Sequence, residues 1–437
     1  MRFTSRRCLW LSLTALALGL ATVFSGAAVS GAPAASPLPH FLITDHGAVG
    51  DGTTLNTAAI QQTIDAAAAA GGGVVEIPAG KFLSGSLFLK NGVELYLDTD
   101  AVLLGSQNIE DYPKRPTRVE GHFPEWRMAL VNAQNMSRVR IGGTGQLNGN
   151  GAPFWALFYA QRRANPKTTN LDVERPRLVF IDRCQDVRVE NVSFQDSGFW
   201  NLHMYNCHNV LIEGLHINAP PMTPSTDGMD IDSCQNVTIR HCQISCNDDN
   251  IALKGSKGPL ADVYVTDGPP VENILIEDCE FGNGNGVITC GSEATIIRNV
   301  TVHNCTITGR ANLLTLKLRP DTSQHYSNIT VDGVKSTGTA GSFFNVAPWT
   351  QFYDLADQPA PPPREIAHVT VRNITGNFAQ LGSLRGNPDD TLRDITIEDV
   401  DINTGGRPLL LGDVEKLTFK NVLVNGEAYD PTKPTEP

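Results

Sequence analysis

Three scarcities frame this 437-residue chain. Basic residues are outnumbered, 34 Lys and Arg against 46 Asp and Glu, for a formal charge of -12. A nucleic-acid partner calls for a basic field, so that class is set aside. Cysteine occurs nine times but never as C-x-x-C, which argues against a zinc site. Beyond the first ~35 residues, no stretch is apolar and long enough to span a bilayer, so no membrane partner is expected.

The N-terminus reads as an export signal. Arg2, Arg6 and Arg7 form a basic leader, Leu9 to Phe24 an apolar run, and Ala27, Ala28, Ala32, Ala34 and Ala35 offer cleavage points. The paired arginines also resemble a twin-arginine signal. We therefore divide the chain into residues 1–34, an export segment, and 35–437, a mature chain expected to be secreted or periplasmic.

What is present is repetition. Rows of one template begin at Val187, Val210, Val237, Ile274, Val300, Ile329, Val369, Ile395 and Leu417. Each has apolar, mostly β-branched residues at its first and third places, and many have a turn-former at the fifth, such as Asn191, Asp278, Asn304, Asn373 or Asp399. Rows at 22- to 29-residue intervals, with two longer gaps, fit one coil of a parallel β-helix per row. The expected fold is all-β, one domain, with an N-terminal capping helix over about Asn56 to Ala70, stopped by Gly71, Gly72 and Gly73. Cys184, Cys207 and Cys234 share one register and Cys242, Cys279 and Cys305 another, which predicts two buried ladders rather than a disulfide framework. The sequons at Asn135, Asn191, Asn236, Asn299, Asn328 and Asn373 mostly fall at turns of the template. The proline-rich segment Tyr353 to Arg364 reads as a long loop, because the template resumes at Val369.

Within Ser225 to Lys254 the template carries Asp227, Asp230, Asp232, Asp248 and Asp249. Aligning apolar pairs puts Asp227, Asp249, Asn285 and Asn312 in one column, Asp230, Ala252, Ile288 and Thr315 in a second, and Asp232, Lys254, Cys290 and Lys317 in a third. Glycosidic hydrolysis needs one protonated carboxyl and one carboxylate, and neighbouring like charges push their pKa values apart. Asp227, Asp248 and Asp249 fit that demand, whereas Asp232 reads as structural.

Four blocks, STDG at Ser225, NDD at Asn247, GNG at Gly284 and TLK at Thr315, resemble those of glycoside hydrolase family 28, whose usual text is NTD, GDD, GHG and RIK. The helix-capped entry and the stretch around Trp200 and His203 resemble that family too. The resemblance implies a right-handed β-helix that cleaves α-glycosidic bonds of pectic polysaccharide with inversion and without metal or cofactor. It implies Asp248 as general acid, and Asp227 and Asp249 as the pair that positions and deprotonates water. Lys317, Lys254, Asn285, Thr315 and His203 become candidates for binding substrate. Asn285 and Thr315 depart from the family His and Arg, which points to a shifted substrate such as rhamnogalacturonan or another uronate-containing glycan, to Arg319 as a compensating cation, or to a weak enzyme. Adjacent coils bring acids to about 5 Å, nearer the spacing of retaining enzymes, so inversion rests on the resemblance.

Two other classes remain open. A calcium-dependent eliminase could use Asp227, Asp230, Asp248 and Asp249 as oxygen ligands. A non-catalytic glycan-binding solenoid would scatter its acids along the coils.

Overall fold

A computed structural model describes residues 38–261, 268–362 and 364–432. The export segment falls outside them. Among the described residues, thirty-three strands join one sheet, paired in parallel from coil to coil except for a terminal antiparallel turn at Leu423 and Ala428. The fold is a right-handed parallel β-helix. Among the described residues, no helix is long and apolar enough to cross a membrane.

The nine template rows stack in the expected register. Val187 opposes Val210, which opposes Val237, and the column continues through Ile274, Val300, Ile329, Val369 and Ile395 to Leu417. Residues at the first and third places point into one continuous core. Burying each such side chain stabilises by about 1.5–3 kcal/mol relative to leaving it in water, and the repeat makes that gain cumulative. Three earlier coils, with strands Gly73–Ile77, Val93–Leu97 and Arg140–Gly143, pair ahead of the first row. The template missed them because long insertions follow the second and the third.

The corners explain the asparagines. All six sequon residues hold positive φ, between 53° and 62°, a region that Asn and Asp tolerate better than other non-glycine residues. The fifth-place residues Asp278, Asn304 and Asp399 do the same. At the opposite corner the amides of Asn236, Asn273, Asn299 and Asn328 each donate to the asparagine one coil earlier, starting from Asn209. Cys184, Cys207, Cys234, Cys242, Cys279 and Cys305 are all buried free thiols in line with the core.

Helix α1 (Thr57–Ala69) lies within the span read from the sequence and packs Ile60, Ile64 and Ala67 onto the N-terminal coils. A second helix, α2 (Ala152–Ala164), was not anticipated and fills one of the insertions. The segment Tyr353 to Arg364 leaves the coil between strands Lys335–Pro348 and Glu365–Leu384. Its start is tied down by Arg319, which donates to the carbonyls of Gln351 and Phe352.

Candidate active site

Five strands, Leu202–Tyr205, Met229–Asp232, Ile251–Lys254, Ile288–Cys290 and Leu314–Leu318, form one face of the solenoid. Their inward residues belong to the core, and the alternate ones, including Asp230, Asp232, Lys254 and Lys317, point outward. The turns that enter these strands bring Asp227, Asp248, Asp249 and Asn285 to the same face. A cavity of about 320 Å³ lies over them, lined also by Tyr159, Arg162, Trp200, Glu293 and Trp349.

One oxygen from each of Asp227, Asp248 and Asp249 lies within 4.8 Å of the others. Their surroundings differ. Asp249 is buried, accepts from Thr289 Oγ1 at 3.0 Å and is paired with Lys317 Nζ at 2.7 Å. Asp248 is partly exposed to the cleft and accepts from Asn285 Nδ2 at 2.9 Å and from the Asp249 amide at 3.0 Å. Its pKa is raised, first by loss of solvent and then by the neighbouring Asp249. Asp227 is buried, and burial, then Asp230 and Asp248, lift it well above the ordinary carboxylate range. Lys254 Nζ stands 3.6 Å from both Asp227 and Asp230 and 3.5 Å from Glu293. Burial opposes its charge, yet those three carboxylates, Glu293 foremost, hold its pKa above the usual lysine value.

The register of the third coil is one residue off the sequence alignment. Thr289, not Ile288, opposes Ala252 and Thr315, and Cys290 opposes Leu316 rather than Lys317. The inward pair is Ile288 and Cys290, in line with Leu314 and Leu316. Val287, equally apolar, belongs to the turn, so period-two counting could not choose between them. The slip sets Asn285 beside Asp248 instead of in the column of Asp249.

Three residues expected to bind substrate do not line the cleft. His203 is wholly buried, with Arg177 Nη1 2.7 Å from Nδ1 and Asp232 3.5 Å from Nε2. Arginine can only donate, so Nδ1 accepts and the ring proton sits on Nε2; burial lowers the pKa to about 3, and the ring stays neutral. Thr315 is buried and donates to the Asn285 carbonyl at 3.0 Å, which makes it a support for that loop. Arg319 grips Asp321 and the loop carbonyls, so it is no compensating cation. Asn285, Lys254 and Lys317 do line the cavity. Asp232 is structural, as read, through a buried pair with Arg118 at 2.9 Å.

Sequence reasoning missed Tyr159, Arg162, Glu120, Glu293 and Trp349 in the cavity wall. Phe154, Phe158 and the Pro at the start of α2 give a helical signal that could have revealed the helix. Nothing local says that it leans over the acids.

A β-helix bearing three converging carboxylates backed by two lysines defines a carbohydrate-active enzyme rather than a scattered binding surface. Residues 73–424 match the family of glycosyl hydrolases family 28, and the chain belongs to it; it is a glycoside hydrolase. Among curated relatives, a probable polygalacturonase of Vitis vinifera is 28% identical over 392 residues, 86% of this chain and 77% of that one. An endo-polygalacturonase of Pectobacterium carotovorum is 27% identical, covering 76% of this chain and 81% of its own. Among solved structures, an exopolygalacturonase from Thermotoga maritima shares the fold at TM-score 0.73 and 23% identity, covering 90% of this chain and 93% of that one.

Proposed function

We propose that this enzyme hydrolyses α-glycosidic bonds of galacturonate-containing pectic polysaccharide by single displacement. The observation that supports it most is the unequal environment of three adjacent carboxylates. Asp248, open to the cleft with a raised pKa, delivers its proton to the glycosidic oxygen as the bond to the anomeric carbon breaks. Asp249, fixed between Thr289 and Lys317, takes a proton from the attacking water. Asp227, which burial and its acidic neighbours hold toward the protonated form and so keep from serving as the base, orients that water. The proton on Asp249 then returns to Asp248 through solvent.

Oxygens within 4.8 Å fall short of the roughly 6.5–9.5 Å usual between acid and base in inverting enzymes, so inversion follows from family membership and is open to direct test. Digests of homogalacturonan and rhamnogalacturonan, with the first-formed anomer followed by proton NMR, decide both points. Inversion gives the β-anomer first; an initial α-anomer would sink it. Faster release from rhamnogalacturonan would assign the shifted substrate that Asn285 and Thr315 suggest.

The calcium-dependent eliminase is disfavoured because two ammonium groups already neutralise the acids, Lys254 at Asp227 and Lys317 at Asp249. Unsaturated uronate among the products would restore it. We also propose that the enzyme acts outside the cytoplasm after loss of residues 1–34, which N-terminal sequencing of exported protein checks.

A further inference from the structure

An anionic sugar entering this cavity meets five carboxyl side chains, Glu120, Asp227, Asp248, Asp249 and Glu293, against three cations, Lys254, Lys317 and Arg162. Two of the cations are committed. Lys254 faces three carboxylates at 3.5–3.6 Å, and Lys317 is paired with Asp249 at 2.7 Å. Drawing either away from its partners would leave a buried carboxylate unpaired, which is strongly unfavourable.

Arg162 differs. It lies in the last turn of α2, exposed, and among the described residues it makes no ion pair or hydrogen bond. Its guanidinium sits over the Phe158 ring, 5.6 Å from the centroid, one helical turn away. That ring contact limits the side chain's freedom and leaves the planar fork of donors able to turn toward the cleft. Tyr159, on the same face of the helix, lines the cavity together with Arg162 and Asp248.

We propose that Arg162 is the specificity residue that holds the carboxylate of a substrate uronate, by the two-pronged guanidinium–carboxylate contact. The inference rests on the proposed uronate hydrolysis. It gives α2 a role: the insertion carries a cation to a cleft whose own strands have none to spare.

The test compares kcat/KM on an oligogalacturonate and on its methyl ester for the wild type, Arg162→Ala and Arg162→Lys. In Arg162→Ala the preference for acid over ester falls about 10- to 100-fold, the range for a hydrogen bond to a charged group, chiefly through KM. Arg162→Lys recovers part of it. A preference that stays constant, including a loss shared equally by both substrates, overturns the inference while the hydrolase reading stands. A wild type that releases reducing ends from neither substrate overturns both.

Discussion

The corner ladders and the cleft face belong to the same coils and obey opposite rules. At the corners, position after position repeats: Asn209, Asn236, Asn273, Asn299 and Asn328 form one file of linked amides. On the cleft face the outward columns change character from coil to coil: Asp230 gives way to Ala252 and then to Thr289 and Thr315, and Asp232 to Lys254. A solenoid stabilises itself through like contacts between neighbouring coils, so one face can be given to chemistry while the others hold the stack. Where the repeat breaks is where function lies.

Changes on the cleft face should therefore remove activity and spare the fold, and the sharpest is Asp248→Asn. Loss of the general acid should lower kcat by about 10²–10⁴-fold with the melting temperature within a few degrees of wild type. Asp227→Asn should retain more activity than Asp249→Asn, because only Asp249 is assigned the proton from water. Equal losses in the two would erase that distinction.

The boundary between the regions is Arg118 and Asp232, a buried pair whose carboxylate lies on a cleft strand but is assigned no chemistry. Arg118→Ala leaves a carboxylate buried without its partner and should cost about 3–5 kcal/mol in chemical denaturation. A change under 1 kcal/mol would mean that water reaches Asp232.

Asp230 sharpens the contrast through pH. It is wholly buried, and burial raises its pKa to about 8. A carboxyl whose folded pKa is raised contributes its stability below the unfolded value near 4 and loses it as pH climbs to 8. Asp230→Asn should accordingly gain on the wild type across pH 4–8, by at most ~1.4 kcal/mol per pH unit, with little further gain above. A stability difference independent of pH would contradict that assignment.

At the corners the effects are small and confined to stability. Asn236→Ala, forced to hold φ 56°, should cost about 1–2 kcal/mol, Asn236→Gly less, and neither should alter kcat. The ladder thiols are free and buried, so a reductant should leave the melting curve of the described coils in place; a marked drop would reveal a disulfide.

Much of this could be read from residues alone, because the repeating parts are local. Period-two apolar pairs, a tolerant residue at each left-handed corner and small side chains at Cys184 to Cys305 specify a coil without reference to distant chain. The acids too were legible, since Asp227, Asp248 and Asp249 lie in turns that a coil of ~25 residues must stack. The slip at Val287 and Ile288 marks the limit of such counting: two adjacent apolar residues fit either phase, and only packing against Leu253 and Leu316 selected Ile288 and Cys290.

The tertiary structure decided how the outward side chains were matched. Arg118 meets Asp232 across 114 residues of sequence, and Lys317 meets Asp249 across 68. The first of those meetings separated Asp232 from the catalytic group; other tertiary contacts withdrew His203, Thr315 and Arg319 from the cleft, and the fold brought Arg162 and Glu293 to its wall. The physical reason is that insertions between coils carry no periodicity. Their paths are set by the few charges and rings they find on the finished solenoid, so sequence determined the scaffold and its acids, while folding determined which cation each acid faces.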